Sequence, residues 1–411
     1  MAKILTIIPY AFYPPQNGGS LRCFYILREM ACNHEVYLLT VQPEADFKVN
    51  AEPAFPGNVT LISLSNVPVY RSIFNILPAK LADAINYRLL KNELRATTNS
   101  YFLGTYRTLI QKLKEIKPAI VFFENLESTS LFSAAVKKHL PSAKRLYDAH
   151  NVDSELWGRL ALVQNNSLFR GYAAHALKTE QHLDRYIDAV FCCSEHDRAK
   201  LLEMNGPGLE VRMIPNGVDC ALKQFDNNPD KFNHAEILFC GSLDYYPNEE
   251  GLLWFYKNVF PLIKNALPHI KLSLVGSVRL NENCRLLEND PTVYFAGRVE
   301  DVQPYYYRAS VCIAPLLSGS GTRLKILEAM SFGNPVVSTT IGAEGINYMD
   351  NKHLLVADDA AVFANKIISL LTNREQFEQI RTAAVKLVRE TYDWRRIGKL
   401  LDNSINEIIA C

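Results

Sequence analysis

The stretch GSGTRLKILEAMSFGNPVV runs from Gly319 to Val337. Gly319 and Gly321 lack side chains, so the backbone N–H groups around them are open to a ligand. A helix is expected next, and the free N–H groups and dipole of its first turn favour an anion. Glu328 falls in the second turn. Gly333 is placed to end the helix, and Asn334-Pro335 leads into a β-branched run, Val336–Ser338. A phosphate at the helix start and a sugar hydroxyl one turn later would suit this arrangement.

Short apolar runs elsewhere alternate with helix-like segments. They are Ile4–Ile8, Val36–Thr40, Val59–Leu64, Ile120–Phe123, Arg145–Tyr147, Ala189–Cys193 and Val211–Ile214 in the first half. In the second half they are Ile237–Cys240, Leu272–Val275, Val293–Phe295, Val311–Ala314, Val336–Ser338 and Leu354–Val356. Runs rich in Val and Ile, spaced by helices, read as buried parallel strands. The fold class is therefore α/β, with two doubly wound, Rossmann-like sheets facing a cleft. At 411 residues the chain exceeds one ordinary core. The break between domains is expected in the polar stretch Lys223–Glu236. From Asp358 onward the pattern is helical, with a break near Trp394.

Composition narrows the function classes. A net charge of +1 gives no global reason to bind nucleic acid. Nine cysteines without paired or metal-ligand spacing suggest a reducing, cytoplasmic setting. The apolar start MAKILTIIPYAFYPP is too short for a secretory signal, and no window suits a membrane span. No P-loop, D-x-D, C-x-x-C, H-E-x-x-H or nucleophile elbow occurs, so neither a metal nor a cofactor is expected.

Candidate ligand residues fall at strand ends, where open α/β sheets bind ligands. Gly18 and Gly19 precede the first helix. Asp148, His150, Asn151, Asp153 and Glu155 follow the run Arg145–Tyr147. His150 is assigned to the donor sugar, and Asp148 to orienting the loop. Asn216-Gly217 reads as a turn capped by Asp219. Gly241 permits close approach of a ligand after Cys240, while Glu249 and Glu250 suit a helix start without any function. Main chain around Arg298 and Val299 could meet the edge of a base. On a helix starting at Thr322, Lys325 and Glu328 share a face at about 100° per residue, and Arg323 points away. Lys325 and Glu328 are then partners for one bound diphosphate sugar. A plain surface pair, worth about 0.2–0.5 kcal/mol, would not explain the preceding glycines.

Taken together, these segments resemble the retaining GT-B glycosyltransferases of the "glycosyl transferases, group 1" kind. GSLDYYPNEEGLLWF, LVGS, VYFAGRVED, APLLSGSGTRLKILEAMSFGNPVVST and GAEGI stand in family order. The resemblance implies a sugar moved from a nucleotide-sugar donor to a glycan or lipid-linked acceptor, with retention and without a metal, in polysaccharide biosynthesis. Residues 1–225 would form the acceptor-side domain and 235–390 the nucleotide-sugar domain. Residues 391–411 would form a helix crossing back to the first domain. Gly18 and Gly19 would lie near the diphosphate or acceptor, and His150 at the transferred sugar. Glu328 would bind the ribose, and Ser318, Gly319, Ser320, Gly321 and Thr322 would hold the diphosphate and sugar. Ser320 stands where the family usually has a second acid. The stretch Gly241–Gly251 lacks the family's usual Arg and Lys. Lys325, Arg323 and the helix N-terminus are expected to supply that charge. A sugar-nucleotide epimerase and a non-catalytic partner subunit are the competing readings. The basic stretch Arg71–Lys117 carries nine Lys or Arg against three acids, interleaved with aromatics. It suits either a peripheral contact with anionic lipid at the inner membrane face or a solvated helix over buried aromatics.

Overall fold

A computed structural model describes residues 1–8, 10–15, 17–49, 52–53, 55, 57–64, 102–163, 165–223, 225–277, 287–319 and 321–410. The chain divides into two compact units, one of Met1–Pro215 with Gly398–Cys411, the other of Asn216–Ile397. Each contains a parallel sheet.

In the first unit the strands are β1 (Lys3–Ile8), β2 (Glu35–Thr40), β5 (Val59–Ser63), β6 (Ile120–Phe123), β7 (Lys144–Ala149), β8 (Ala189–Cys192) and β9 (Glu210–Met213). Between β2 and β5, β3 (Lys48–Val49) and β4 (Glu52–Pro53) form a separate antiparallel pair. The sheet order is β5-β2-β1-β6-β7-β8-β9. In the second unit β10 (Glu236–Cys240), β11 (Lys271–Val275), β12 (Val293–Gly297), β13 (Val311–Ala314), β14 (Val336–Ser338) and β15 (Leu355–Val356) follow, ordered β12-β11-β10-β13-β14-β15. Every apolar run read as a strand is one. The central strands β6 and β13 are buried along their whole length, as strands covered on both faces must be. Both sheets reverse strand order beside their first strand, at β1/β6 and at β10/β13. Crevices at such switch points are where doubly wound sheets hold ligands.

The division at Pro215–Asn216 precedes the polar stretch that was expected to separate the domains. Lys223–Glu236 packs within the second unit. Its Lys231 is buried, with Nζ 3.1 Å from Asp226 Oδ2 and 2.6 Å from the Tyr306 carbonyl. A buried, paired ammonium is a feature of a core rather than of a linker. The last helix, Trp394–Ala410, begins in the second unit, and from Gly398 its residues belong to the first. There Asp402 lies 2.9 Å from buried His34, and Glu407 lies 2.6 Å from Arg212. No described helix is long and apolar enough to cross a membrane. Of the basic stretch, residues 71–101 lie outside the described residues. The helix Phe102–Ile116 turns Leu109, Leu113 and Ile116 into the first unit's core.

Helix Tyr246–Trp254 lies against the backbone that leaves β13. A Cβ on Gly251 would meet the Pro315 carbonyl oxygen at 2.4 Å. Gly251→Ala gains about 1 kcal/mol of helix propensity but must push helix and strand apart, at about 1–3 kcal/mol. A lower urea midpoint is expected, and a raised one would contradict this packing.

Candidate active site

In the second unit, the loop after β13 and the helix Leu324–Ser331 form one wall. Gly319 and Gly321 adopt φ of +98° and +81°, a left-handed backbone that side chains disfavour. The helix ends in a Schellman cap. Gly333, at φ +78°, donates to the Met330 carbonyl, and Asn334 N–H donates to that of Ala329. This is the stop read from Gly333-Asn334-Pro335.

The helix start corrects one expectation. It begins at Leu324, with Arg323 as its N-cap residue, not at Thr322. The geometry that turned Arg323 away therefore does not hold, and its guanidinium lies over Gly319, 3.0 Å from where a Cβ would sit. Lys325 and Glu328 also have separate partners. Lys325 Nζ donates to Asn248 Oδ1 at 2.7 Å and lies 4.5 Å from the centre of the Phe239 ring. A Cβ on Gly241 would fall 2.7 Å from that ammonium. Burial pushes the Lys325 pKa down to about 7. Glu328 accepts from Tyr306 Oη at 3.1 Å and pairs with Lys223 at 2.8 Å.

Ser318 Oγ donates to Glu250 Oε2 at 2.7 Å, so Glu250 braces the glycine loop rather than only opening a helix. Thr322 Oγ1 reaches the Gly345 carbonyl at 3.4 Å. Ser320 lies outside the described residues. Arg298 is exposed, directly after β12. Val299 is half-buried against the core, and the next helix starts at Gln303 rather than at once. The structure thus brings Gly241, Lys325, Ser318, Gly319 and Arg323 to one sheet edge, with Glu328 a turn along.

The first unit holds a second cluster. Asn17 caps the helix Gly18–Asn33 through a reciprocal box with Ser20. The His150 ring rests on Gly19, its Nδ1 3.4 Å from where a Cβ would stand. His150 Nε2 lies 3.2 Å from Glu124 Oε2 and 3.3 Å from Asp148 Oδ2. Burial alone would lower the His150 pKa; charge from Cys23 and hydrogen bonds to Asp148, Cys23 and Glu124 raise it well above the ordinary value. Asp148 does orient the loop. It takes Arg22 in a bidentate grip, Nε–Oδ2 2.7 Å and Nη2–Oδ1 2.6 Å, while Arg22 Nη1 donates to the Ile214 carbonyl. Glu180 caps the next helix, accepting from the N–H groups of Asp153 and Ser154. Beside it a cavity of about 180 Å³ is lined by Asp153, Ser130, His175, Trp157 and Tyr172.

Arg22, Cys23 and Glu124 went unread in the sequence. Glu124 carried a signal: it is the first polar residue after the wholly buried run Ile120–Phe123. A carboxylate there sits at the ligand edge of the sheet. Arg22 and Cys23 look like ordinary helix residues until β7 is packed beside them.

Comparison with known proteins agrees with this layout. The family described as "Glycosyltransferase Family 4" matches residues 16–222. "Glycosyl transferases group 1" matches residues 234–373. An "uncharacterized 44.6 kDa protein in cps region" of Klebsiella pneumoniae is 24% identical, over 97% of this chain and 98% of its own. Among solved structures, sucrose-phosphate synthase of Thermosynechococcus elongatus aligns over the whole of both chains, with TM-score 0.73 and 17% identity. Anabaena HepE in complex with UDP and glucose aligns over 99% of this chain and 100% of its own, with TM-score 0.69 and 14% identity. Two Rossmann-like sheets with ligand edges at their switch points, matched along both halves, place the chain in glycosyltransferase family 4, as a glycosyltransferase of the GT-B fold.

Proposed function

We propose that the chain moves a sugar from a nucleotide-sugar donor to a glycan or lipid-linked acceptor, with retention and with no metal in the transfer step. The observation that carries this reading is the Lys325 ammonium, held between Gly241 and Asn248 beside the left-handed Gly319–Gly321 loop. Open backbone N–H groups, a helix N-terminus and one ammonium supply the charge a diphosphate leaving group needs. Glu328 accepts the ribose hydroxyls, exchanging its present hold on Lys223 for them. His150, fixed by Glu124 and Asp148, meets the transferred sugar through its exposed edge. The HepE complex with UDP and glucose puts uridine donors first in the test.

UDP-, GDP- and ADP-sugars are compared by thermal shift and by slow nucleotide release in water. A UDP-sugar at a hundred times its Kd stabilises by about 2.7 kcal/mol. Glu328→Ala is expected to lose that shift. Equal shifts in the variant, or an isomerised donor in place of free nucleotide, would sink the reading.

A further inference from the structure

We propose that Cys23 Sγ, Glu124 Oε2 and His150 Nε2 form a site for a thiophilic divalent cation, Zn²⁺, which holds His150 off the donor and brakes transfer. The brake rests on the role given to His150 above; the metal site does not. The three donors come from separate elements of the first unit: the helix Gly18–Asn33, the end of β6 and the end of β7. Sγ lies 3.4 Å from Glu124 Oε2 and 3.9 Å from His150 Nε2, and the latter two are 3.2 Å apart. Tetrahedral zinc, with bonds of about 2.0–2.3 Å, spaces such ligands about 3.3–3.6 Å apart. The triangle therefore closes on an ion with shifts of a few tenths of an ångström.

A second observation points to a missing ligand. Glu124 is fully buried, and its Oε1 has no hydrogen-bond partner among the described residues. A buried carboxylate oxygen left bare is costly, and an ion that Glu124 holds through both oxygens satisfies it. The surroundings supply an outer shell. Tyr10 Oη lies 3.1 Å from Sγ as an outer-shell contact, while Asp148 Oδ2, 3.3 Å from His150 Nε2, gives up that contact when the metal takes Nε2 and stays with Arg22. A thiolate with an imidazole selects zinc over magnesium or calcium. Binding displaces the thiol proton and an imidazole proton to solvent, and water fills the fourth position. With Nε2 on the metal and Nδ1 against Gly19, the ring can no longer turn.

Metal-free full-length protein is titrated with Co²⁺, whose bond to a thiolate gives a near-ultraviolet charge-transfer band. One equivalent should saturate the band, and Zn²⁺ should displace it. Cys32 is an exposed thiol, so Cys32→Ser should keep the band while Cys23→Ser loses it. Against a chelating dye, zinc affinity should fall by more than ~100-fold in Cys23→Ser and in Glu124→Gln. Melting curves show which variants are folded, and either folded variant decides the question. No band, or a full band in Cys23→Ser, overturns the site. One equivalent of zinc should slow nucleotide release from UDP-glucose at least ~10-fold, with recovery on chelation. Unchanged release from zinc-bound protein overturns the brake. If metal-free protein releases no nucleotide, the proposed transfer fails, and the cobalt band still decides the site.

Discussion

Lys325→Ala is expected to slow turnover of a UDP-sugar by about 100- to 1000-fold, the usual cost of one preorganised donor to a developing anion. The melting temperature should not fall with it. The ammonium is held in a site that pushes its pKa down to about 7, so the folded protein gains nothing from the charge without a ligand. The sign follows from linkage. Between pH 7 and the unfolded value near about 10.4, the native state binds fewer protons than the unfolded one. Stability from this group therefore rises with pH across that window. Donor binding runs the other way. The diphosphate favours the protonated lysine, so UDP-glucose affinity should weaken as pH climbs above 7, by up to about tenfold per unit. The sugar diphosphate keeps its own charge there, so the lysine is the group that titrates at the phosphates; His150, whose pKa is also raised, meets the sugar instead. Lys325→Arg should bind with a flat profile. Calorimetry across pH decides it; a wild-type affinity that is level from pH 7 to 9 would remove Lys325 from the diphosphate.

Asp148→Ala should be among the most destabilising single changes in the first unit, at about 3–5 kcal/mol. It strips the partner from Arg22, which is itself almost wholly buried. The desolvated guanidinium then loses the carboxylate that grips it on two sides, though it still donates to the Ile214 carbonyl. Arg22→Ala with Asp148→Ala together should cost clearly less than the sum of the two singles, since the double variant leaves no bare charge. Urea unfolding of the four proteins measures this. Additive losses would show that the pair is not coupled. The pair also sets an acid limit. Despite burial, Arg22 and His150 hold the Asp148 pKa down to about 2. Its contribution is therefore full above the unfolded value near about 3.9 and fades as pH falls toward 2. Because Asp148 also fixes His150, its loss should reduce turnover even at temperatures where the variant is folded.

Much of the layout was legible before folding. β6 and β13 are apolar at every position because both faces are covered, and that reads without an alternating pattern. Gly333 before Asn-Pro is a stop signal, and the cap there uses the backbone bonds such a glycine permits. Glycines at a strand-to-helix turn point to the ligand edge for the same local reason. The helix boundary at Leu324 was not legible, because two residues either way leave the apolar period intact. That slip decided whether Arg323 lay near the glycine loop.

What the amino-acid order determined alone is whatever depends on neighbours within a few positions: strand runs, turns, caps, and thus the two-sheet α/β fold. Tertiary structure decided the partners. Lys325 belongs to Asn248 and Gly241 rather than to Glu328, three residues away on its own helix. Cys23, Glu124 and His150 stand 101, 127 and 26 positions apart in pairs, yet meet in one buried cluster. The physical reason is that side-chain charge and hydrogen bonding act over a few ångströms, and parallel strand order, not chain distance, sets which strand ends come that close.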